Sequence, residues 1–193
     1  FSLPRRLLDR TLNGPVLRQL ERQVLRAPEG QILALSQYTA DALGRVAGRP
    51  MADVLLMPVD NTIFSPEPSA VVPWRIGFAG RFGDPRKNID LLLDSAKLLH
   101  RQGAPVELHL AGEKDLTLLQ PRLRQLGIEP LVRCHPPLES RQLAQMLRSL
   151  DLFVIPSHQE GLCIAALEAM ACGVPVVSTR CGGPEQFVLE GRT

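Results

Sequence analysis

Two carboxylates stand eight positions apart in the stretch IPSHQEGLCIAALEAMACGVPVVS (155–178): Glu160 and Glu168. Most of what surrounds them is apolar or small. Glu160 falls in a turn between an apolar run and a helical one, and Glu168 falls inside that helix. An ionised carboxylate only accepts hydrogen bonds, so its natural partner is a hydroxyl, and a vicinal diol can donate two. A second cluster lies upstream in AGRFGDPRKN (79–88), where Arg81, Arg86 and Lys87 accompany Gly80 and Gly83. Cations beside a backbone that can be approached closely suit a phosphate or diphosphate. Each residue alone has a plainer reading: Glu168 as an acid near a helix N-terminus, Glu160 as an exposed turn residue, Arg81 and Lys87 as solvated cations. Chemistry follows only where the two clusters meet.

The elements that would bring them together are legible as alternation. WRIGFAG (74–80) reads as a strand and NIDLLLDSAKLLHRQG (88–103) as a helix with Leu91, Leu92, Ala96 and Leu99 on its apolar face. PVELHLAG (105–112) is a strand, TLLQPRLRQLG (117–127) a helix that Pro121 shortens, and LVRCH (131–135) a weaker strand. The helix ESRQLAQMLRSL (139–150), the strand LFVIPS (152–157), a helix near 164–172 and the strand PVVST (175–179) complete the series. Strands alternating with helices predict an α/β fold, a doubly wound parallel sheet. Right-handed crossovers then lay three strands one way before the fourth returns beside the first. The crevice opens at the carboxyl ends of the first and fourth strands, where 79–88 and 156–162 lie. His158 sits in the second loop and reads as a surface histidine. A nucleotide carrying a sugar supplies both the phosphates and the hydroxyls.

Upstream, GPVLRQLERQVLRA (14–27) predicts an amphipathic helix with Leu17, Leu20, Val24 and Leu25 on one face and Arg18, Arg22 and Arg26 on another. That stripe reads as a solvated face, with acidic lipid as the alternative. QILALS (31–36) and ADVLLMPV (52–59) predict strands, and QYTADALGRVAG a helix closed by Gly48. The aperiodic PVDNTIFSPEPSAVVPW (58–74), with four prolines, reads as a linker.

Composition narrows the classes. With 193 residues, 45% hydrophobic and 22% charged, the chain holds one full domain and part of a second. A net charge of +2 and a single Trp and Tyr leave no basic stripe and no stacking platform for nucleic acid. The four cysteines, Cys134, Cys163, Cys172 and Cys181, contain no C-x-x-C, which suits reduced thiols.

Together these residues resemble a known family. Glu160 and Glu168 within EGLCIAALEAMACGVPVV, the segment GFAGRFGDPRKNIDLLLDSAKLL, and CGGPEQFV are similar to motifs of the retaining glycosyltransferases of family 4, which have the two-domain GT-B fold. The resemblance covers roughly residues 31–190. It implies a Rossmann-like donor-binding domain at 74–193, incomplete at its C-terminus, a linker at 58–73, and a remnant of the N-terminal acceptor domain at 1–57. It further implies that Arg81 and Lys87 stabilise the departing diphosphate of a UDP-, GDP- or ADP-sugar. Glu168 would accept from ribose hydroxyls and Glu160 would lie near the donor sugar. Gly80 and the segment Gly161, Leu162, Cys163 and Ile164 would approach phosphate or sugar. Cations placed in advance lower the barrier to departure of a diphosphate, so no metal and no further cofactor is expected. Transfer of a hexosyl group with retention to a saccharide or lipid-linked acceptor is implied, as in polysaccharide biosynthesis. Base contacts would come from main-chain groups near GEKD (112–115) and VRCHPP (132–137).

The chain departs from the family pattern at Cys163, which stands where a second glycine is usual. The missing acceptor domain and missing C-terminal helix imply that both ends are cut. No targeting segment is apparent, so a cytoplasmic protein is expected, with peripheral contact at the inner membrane face left open. Two rivals remain. One is a nucleotide-sugar binding domain without turnover. The other is an NAD(P)-dependent oxidoreductase or epimerase, for which Gly77, Gly80, Gly83 and a ribose-binding Glu113 would speak. Against it stand DPRKN, which intervenes before the helix, and Tyr38, which lacks a lysine four residues on.

Overall fold

The computed structural model describes residues 14–26, 32–49, 53–67, 74–112 and 116–192. The chain divides into two compact units, Phe1–Leu56 and Met57–Thr193.

In the first unit, α1 spans Gly14–Arg26 and α2 spans Gln37–Ala47. Ser36 caps α2 by accepting from the Thr39 N–H at 3.1 Å. Gly48 closes it in the left-handed region at φ 72°. The apolar stripe of α1 is there as expected, but Val16, Leu17, Leu20 and Val24 are all exposed. The two strands expected at 31–36 and 52–59 are not formed in the described residues. One parallel bridge, Ala34 to Val54, is what remains of each. The reason is visible in the side chains: Leu33, Leu35, Leu55 and Leu56 are exposed, so no packed face fixes an extended ladder.

The second unit contains a five-stranded parallel sheet in the order β3-β2-β1-β4-β5. Its strands are β1 Arg75–Ala79, β2 Glu107–Ala111, β3 Val132–His135, β4 Leu152–Ile155 and β5 Val176–Ser178. The crossover helices are α3 Ile89–Arg101, α4 Gln120–Leu126, α5 Ser140–Arg148 and α6 Ile164–Ala171. The reversal between β1 and β4 is the one expected from right-handed crossovers, with Gly77 paired to Phe153.

Alternation along the strands splits the core in two. Ile76, Phe78, Leu108, Leu110 and Val132 pack with α3 and α4 residues such as Leu93 and Leu123. Phe153, Ile155, Val176 and Ala111 pack with Leu147, Ala166 and Ala169 of α5 and α6. Full burial of one Leu or Phe side chain contributes about 1.5–3 kcal/mol, and there are several on each face. One assignment on α3 is corrected here: Leu93 is fully buried, whereas Leu91 is exposed. Pro121 sits in the first turn of α4, behind a 3-10 turn at Leu116–Leu119, and so shortens that helix from its N-terminal side. Within the stretch read as a linker, Phe64 is buried in the α5/α6 core and Val59 and Ile63 pack against it. Arg148 anchors this segment by donating to the Ser65 and Ile63 carbonyls at 2.8 and 2.6 Å. Among the described residues, no helix is long and apolar enough to cross a membrane.

Candidate functional site

The loops that follow β1 and β4 are joined at the carboxyl edge of the sheet. The His158 N–H donates to the Arg86 carbonyl at 2.7 Å. Asn88 Nδ2 donates to the Pro156 carbonyl at 3.1 Å. Asn88 itself adopts a left-handed conformation, φ 48°, between a 3-10 turn at Pro85–Lys87 and the first turn of α3. Asn tolerates that region better than most side chains. Asp84 starts the turn by accepting from the Arg86 N–H at 3.0 Å.

At this seam Lys87 meets Glu160. Lys87 Nζ lies 2.8 Å from Glu160 Oε1 and 3.0 Å from Oε2. The side chains are 20% and 8% exposed respectively, so the pair is largely withdrawn from water. Ser157 Oγ, also buried, donates to Oε1 at 2.6 Å. The backbone of Glu160 is fixed as well: its N–H donates to the Cys181 carbonyl at 2.7 Å, and its carbonyl accepts from the Gly183 N–H at 3.0 Å. Gly183 belongs to the CGGPEQFV segment, and a Cβ there would collide with the Gly161 carbonyl. Only glycine lets that turn press against the Glu160 loop.

The other expected residues are placed nearby in chain order but differ in surroundings. Arg81 is 69% exposed and pairs with Asp84 at 3.2 Å; Arg86 pairs with the same carboxylate at 2.7 Å. Bonds from the Arg86 side chain and N–H hold the Asp84 carboxyl down at about 2. Gly80 carries no side chain where a Cβ would lie 3.7 Å from Lys87 Cε and 3.0 Å from the Phe78 ring. Glu168 is half-buried on α6, and burial raises its carboxyl above the usual range. Among the described residues, no hydrogen bond reaches its side chain. Gly161 is exposed, Leu162 buried, Cys163 half-buried and Ile164 exposed.

Cys163 is in the left-handed region at φ 66°, ψ 71°, directly before α6. A left-handed conformation is the one that glycine, usual here in the family pattern, adopts most readily. Burial, reinforced by the Glu160 carboxylate, pushes the thiol up to about 12. That shift disfavours the thiolate, the nucleophilic form, at neutral pH.

Two polar groups that the fold brings in are not singled out by sequence pattern. Ser157 is one, and its only sequence trace is that it precedes Glu160 by three positions. The His109–His135 pair is the other, on adjacent strands, with Nδ1 of His109 3.1 Å from Nε2 of His135 and the rings stacked. Of the residues named for an alternative dinucleotide site, Gly77 lies inside β1, where a Cβ would strike Leu150, and Glu113 lies outside the described residues. Residues 113–115, expected near the base, also lie outside them. No group of three or more His, Cys, Asp or Glu converges among the described residues as a metal site.

Residues 73–193 match the family of group 1 glycosyl transferases. A D-inositol 3-phosphate glycosyltransferase of Arthrobacter sp. FB24 is 32% identical over 206 residues, covering 97% of this chain and 48% of that protein. Its counterpart in Actinosynnema mirum is 31% identical over 211 residues, covering 97% and 50%. The chain therefore spans about half the length of these curated relatives. Among solved structures, Anabaena HepE with UDP and glucose superposes with a TM-score of 0.78 at 22% identity, over 91% of this chain and 51% of that one. Sucrose-phosphate synthase from Thermosynechococcus elongatus gives 0.77 at 22% identity, over 91% and 46%. These structures share with this chain a Rossmann-like α/β fold typical of a GT-B C-terminal domain. On the match over 73–193, which is more than half of its length, the chain belongs to the group 1 glycosyltransferase family.

Proposed function

We propose that this chain is the donor-binding half of a retaining glycosyltransferase that moves a hexosyl group from a nucleoside diphosphate sugar to a saccharide or lipid-linked acceptor. The observation that carries the reading is the meeting of Lys87 and Glu160 at the carboxyl edge, 2.8 Å apart, on loops from β1 and β4. A cation and a sugar-facing acid at one point suit a substrate that is anionic at one end and polyhydroxylated at the other. Lys87 and Arg81 neutralise the charge that builds on the departing diphosphate, in place of a metal. Glu168, whose side chain takes no hydrogen bond among the described residues, accepts from the ribose hydroxyls. Glu160 lies at the donor sugar, and Gly80 with the Gly161–Ile164 backbone lets phosphate and sugar approach.

The domain assignment belongs to the same proposal: residues 1–57 as part of an acceptor domain, 58–73 as the connection and 74–193 as the donor domain. Turnover then belongs to the whole enzyme and donor binding to this chain. UDP-sugars are the first donors to test, because HepE was solved with UDP. The relatives' name makes a phosphorylated inositol the first acceptor. A cytoplasmic protein is proposed. The exposed Val16, Leu17, Leu20 and Val24 on α1, with Arg18 and Arg22 on the same helix, speak for peripheral contact with acidic lipid.

Calorimetric titration with UDP, GDP and ADP and their glucose conjugates tests the reading. Binding of one of them is expected, weakened in Lys87→Ala by about 1.5–3 kcal/mol, as for a charged hydrogen bond. Absence of heat from a folded sample with every nucleotide overturns the proposal.

A further inference from the structure

Lys87 has four rotatable side-chain bonds, so a role at a fixed phosphate requires something to hold its ammonium in place. Glu160 does this with both oxygens, at 2.8 and 3.0 Å. Glu160 in turn needs an orientation, and its own backbone bonds fix only where its side chain starts. The remaining constraint is Ser157. Its hydroxyl has one proton to give, and that proton goes to Glu160 Oε1 over 2.6 Å. The Ser157 backbone is tied down in turn, because its carbonyl accepts from Thr179 Oγ1 at 2.5 Å, directly after β5. Ser157 is 2% exposed, so its hydroxyl lies out of a ligand's reach. It acts through its neighbour.

We propose that Ser157 is a positioning residue: by orienting the Glu160 carboxylate it presets Lys87 for an anionic diphosphate. This rests on the donor-site reading above. The chain of influence runs from the end of β5 through Ser157 and Glu160 to Lys87, and each link is a hydrogen bond of 3.0 Å or less. Without the hydroxyl, Glu160 loses its fixed rotamer, and Lys87 moves with it.

Two measurements test this on the 193-residue chain. In the first, UDP, GDP and ADP are titrated into wild type, Ser157→Ala, Ser157→Thr, Lys87→Ala and the Ser157→Ala/Lys87→Ala double variant. For whichever nucleotide wild type binds, Ser157→Ala is expected to weaken affinity about tenfold, the scale of one hydrogen bond to a charged group. Ser157→Thr, which keeps the hydroxyl, restores most of it. In the Lys87→Ala background the same serine change has less than about a twofold effect, because the residue through which it acts is gone. Unchanged affinity in Ser157→Ala, or an equal loss with and without Lys87, overturns the proposal in favour of a structural serine.

The second measurement needs no ligand. Acetylation of Lys87 by an N-hydroxysuccinimide ester, followed by mass spectrometry, is expected to be slow in wild type and several-fold faster in Ser157→Ala. Equal rates overturn the proposal even where no nucleotide binds, whereas faster acetylation without nucleotide binding defeats only the donor-site reading. Should Ser157→Ala fail to fold, Ser157→Cys, a near-isostere with a much weaker donor, takes its place in both measurements.

Discussion

Two polar clusters are buried against the same sheet, and they are built on opposite plans. Beyond β4, the Glu160 carboxylate has a partner at each oxygen, Lys87 at both and Ser157 at Oε1. On β2, His109 is almost as deeply buried but has a partner for one ring nitrogen only. Its Nδ1 faces His135, while Nε2 has none among the described residues, with Glu107 Oε1 3.7 Å away and too far for a hydrogen bond. One cluster joins opposite charges, so breaking it is costly. The other stacks two imidazoles that share one hydrogen between facing nitrogens, so a second proton is what disturbs it. The difference separates charge removal from pH as ways to perturb the fold.

Removing charge acts hardest on the first cluster. Lys87→Met is expected to cost about 3 kcal/mol of stability, because it strands a buried carboxylate with one neutral donor. Urea unfolding measures it, and a loss under 1 kcal/mol would show that water already screens the pair. Glu168→Gln sharpens the contrast among the acids. It is expected to weaken nucleotide binding about tenfold while raising the melting temperature. Burial holds the Glu168 carboxyl above its ordinary range, so the ionised form is penalised in the folded state and a neutral isostere is not. A drop in both quantities would mean that Glu168 has a stabilising partner.

pH acts on the second cluster. Burial lowers both His109 and His135 below the ordinary value of 6.5. The unfolded chain therefore takes up protons first as pH falls, and stability declines from about pH 6.5 downward until the folded imidazoles also titrate. Arg75, Arg133 and Glu107 surround the pair, with Glu107 held ionised by its bond from Arg75. His109→Leu is expected to flatten the decline between pH 6.5 and 5, read from melting curves across that range. An unchanged slope would assign the acid sensitivity elsewhere.

The smallest expected effect is at Cys163. Cys163→Gly relieves the cost of a left-handed non-glycine residue, set against the greater unfolded-state freedom of glycine and a lost buried thiol. A net gain of no more than about 1 kcal/mol is expected. The same thiol, up at about 12, should resist iodoacetamide at pH 7.5 in folded protein and react once unfolded.

The strand order and the seam at the carboxyl edge were legible because period and crossover handedness leave few alternatives. The meeting of the loops that carry Lys87 and Glu160 was legible for the same reason, since topology alone places them side by side; the ion pair between the two side chains was not. The face of α3 was less legible. Leu91, Leu92 and Leu93 are consecutive, so periodicity offers little to choose between them, and the helix docks on Leu92 and Leu93. The strands expected at 31–36 and 52–59 failed for want of a packed face, which apolar composition alone does not provide. Ser157 left no trace because its role depends on one rotamer in a loop. His109 and His135 lie 26 residues apart, and only the β2–β3 register, which pairs His109 with Arg133 and Ala111 with His135, sets the two rings diagonally on one face.

The seam between the two loops is held by the Asn88 amide and the His158 N–H, each donating to a backbone carbonyl, and by the Lys87–Glu160 pair. The first two carry no net charge and the third is largely withdrawn from water, so mobile ions have little grip on them. On the donor-site proposal, raising ionic strength is expected to loosen an anionic guest from Lys87 and Arg81 while leaving the frame that presents them in place. Salt becomes a means of emptying the crevice without opening it.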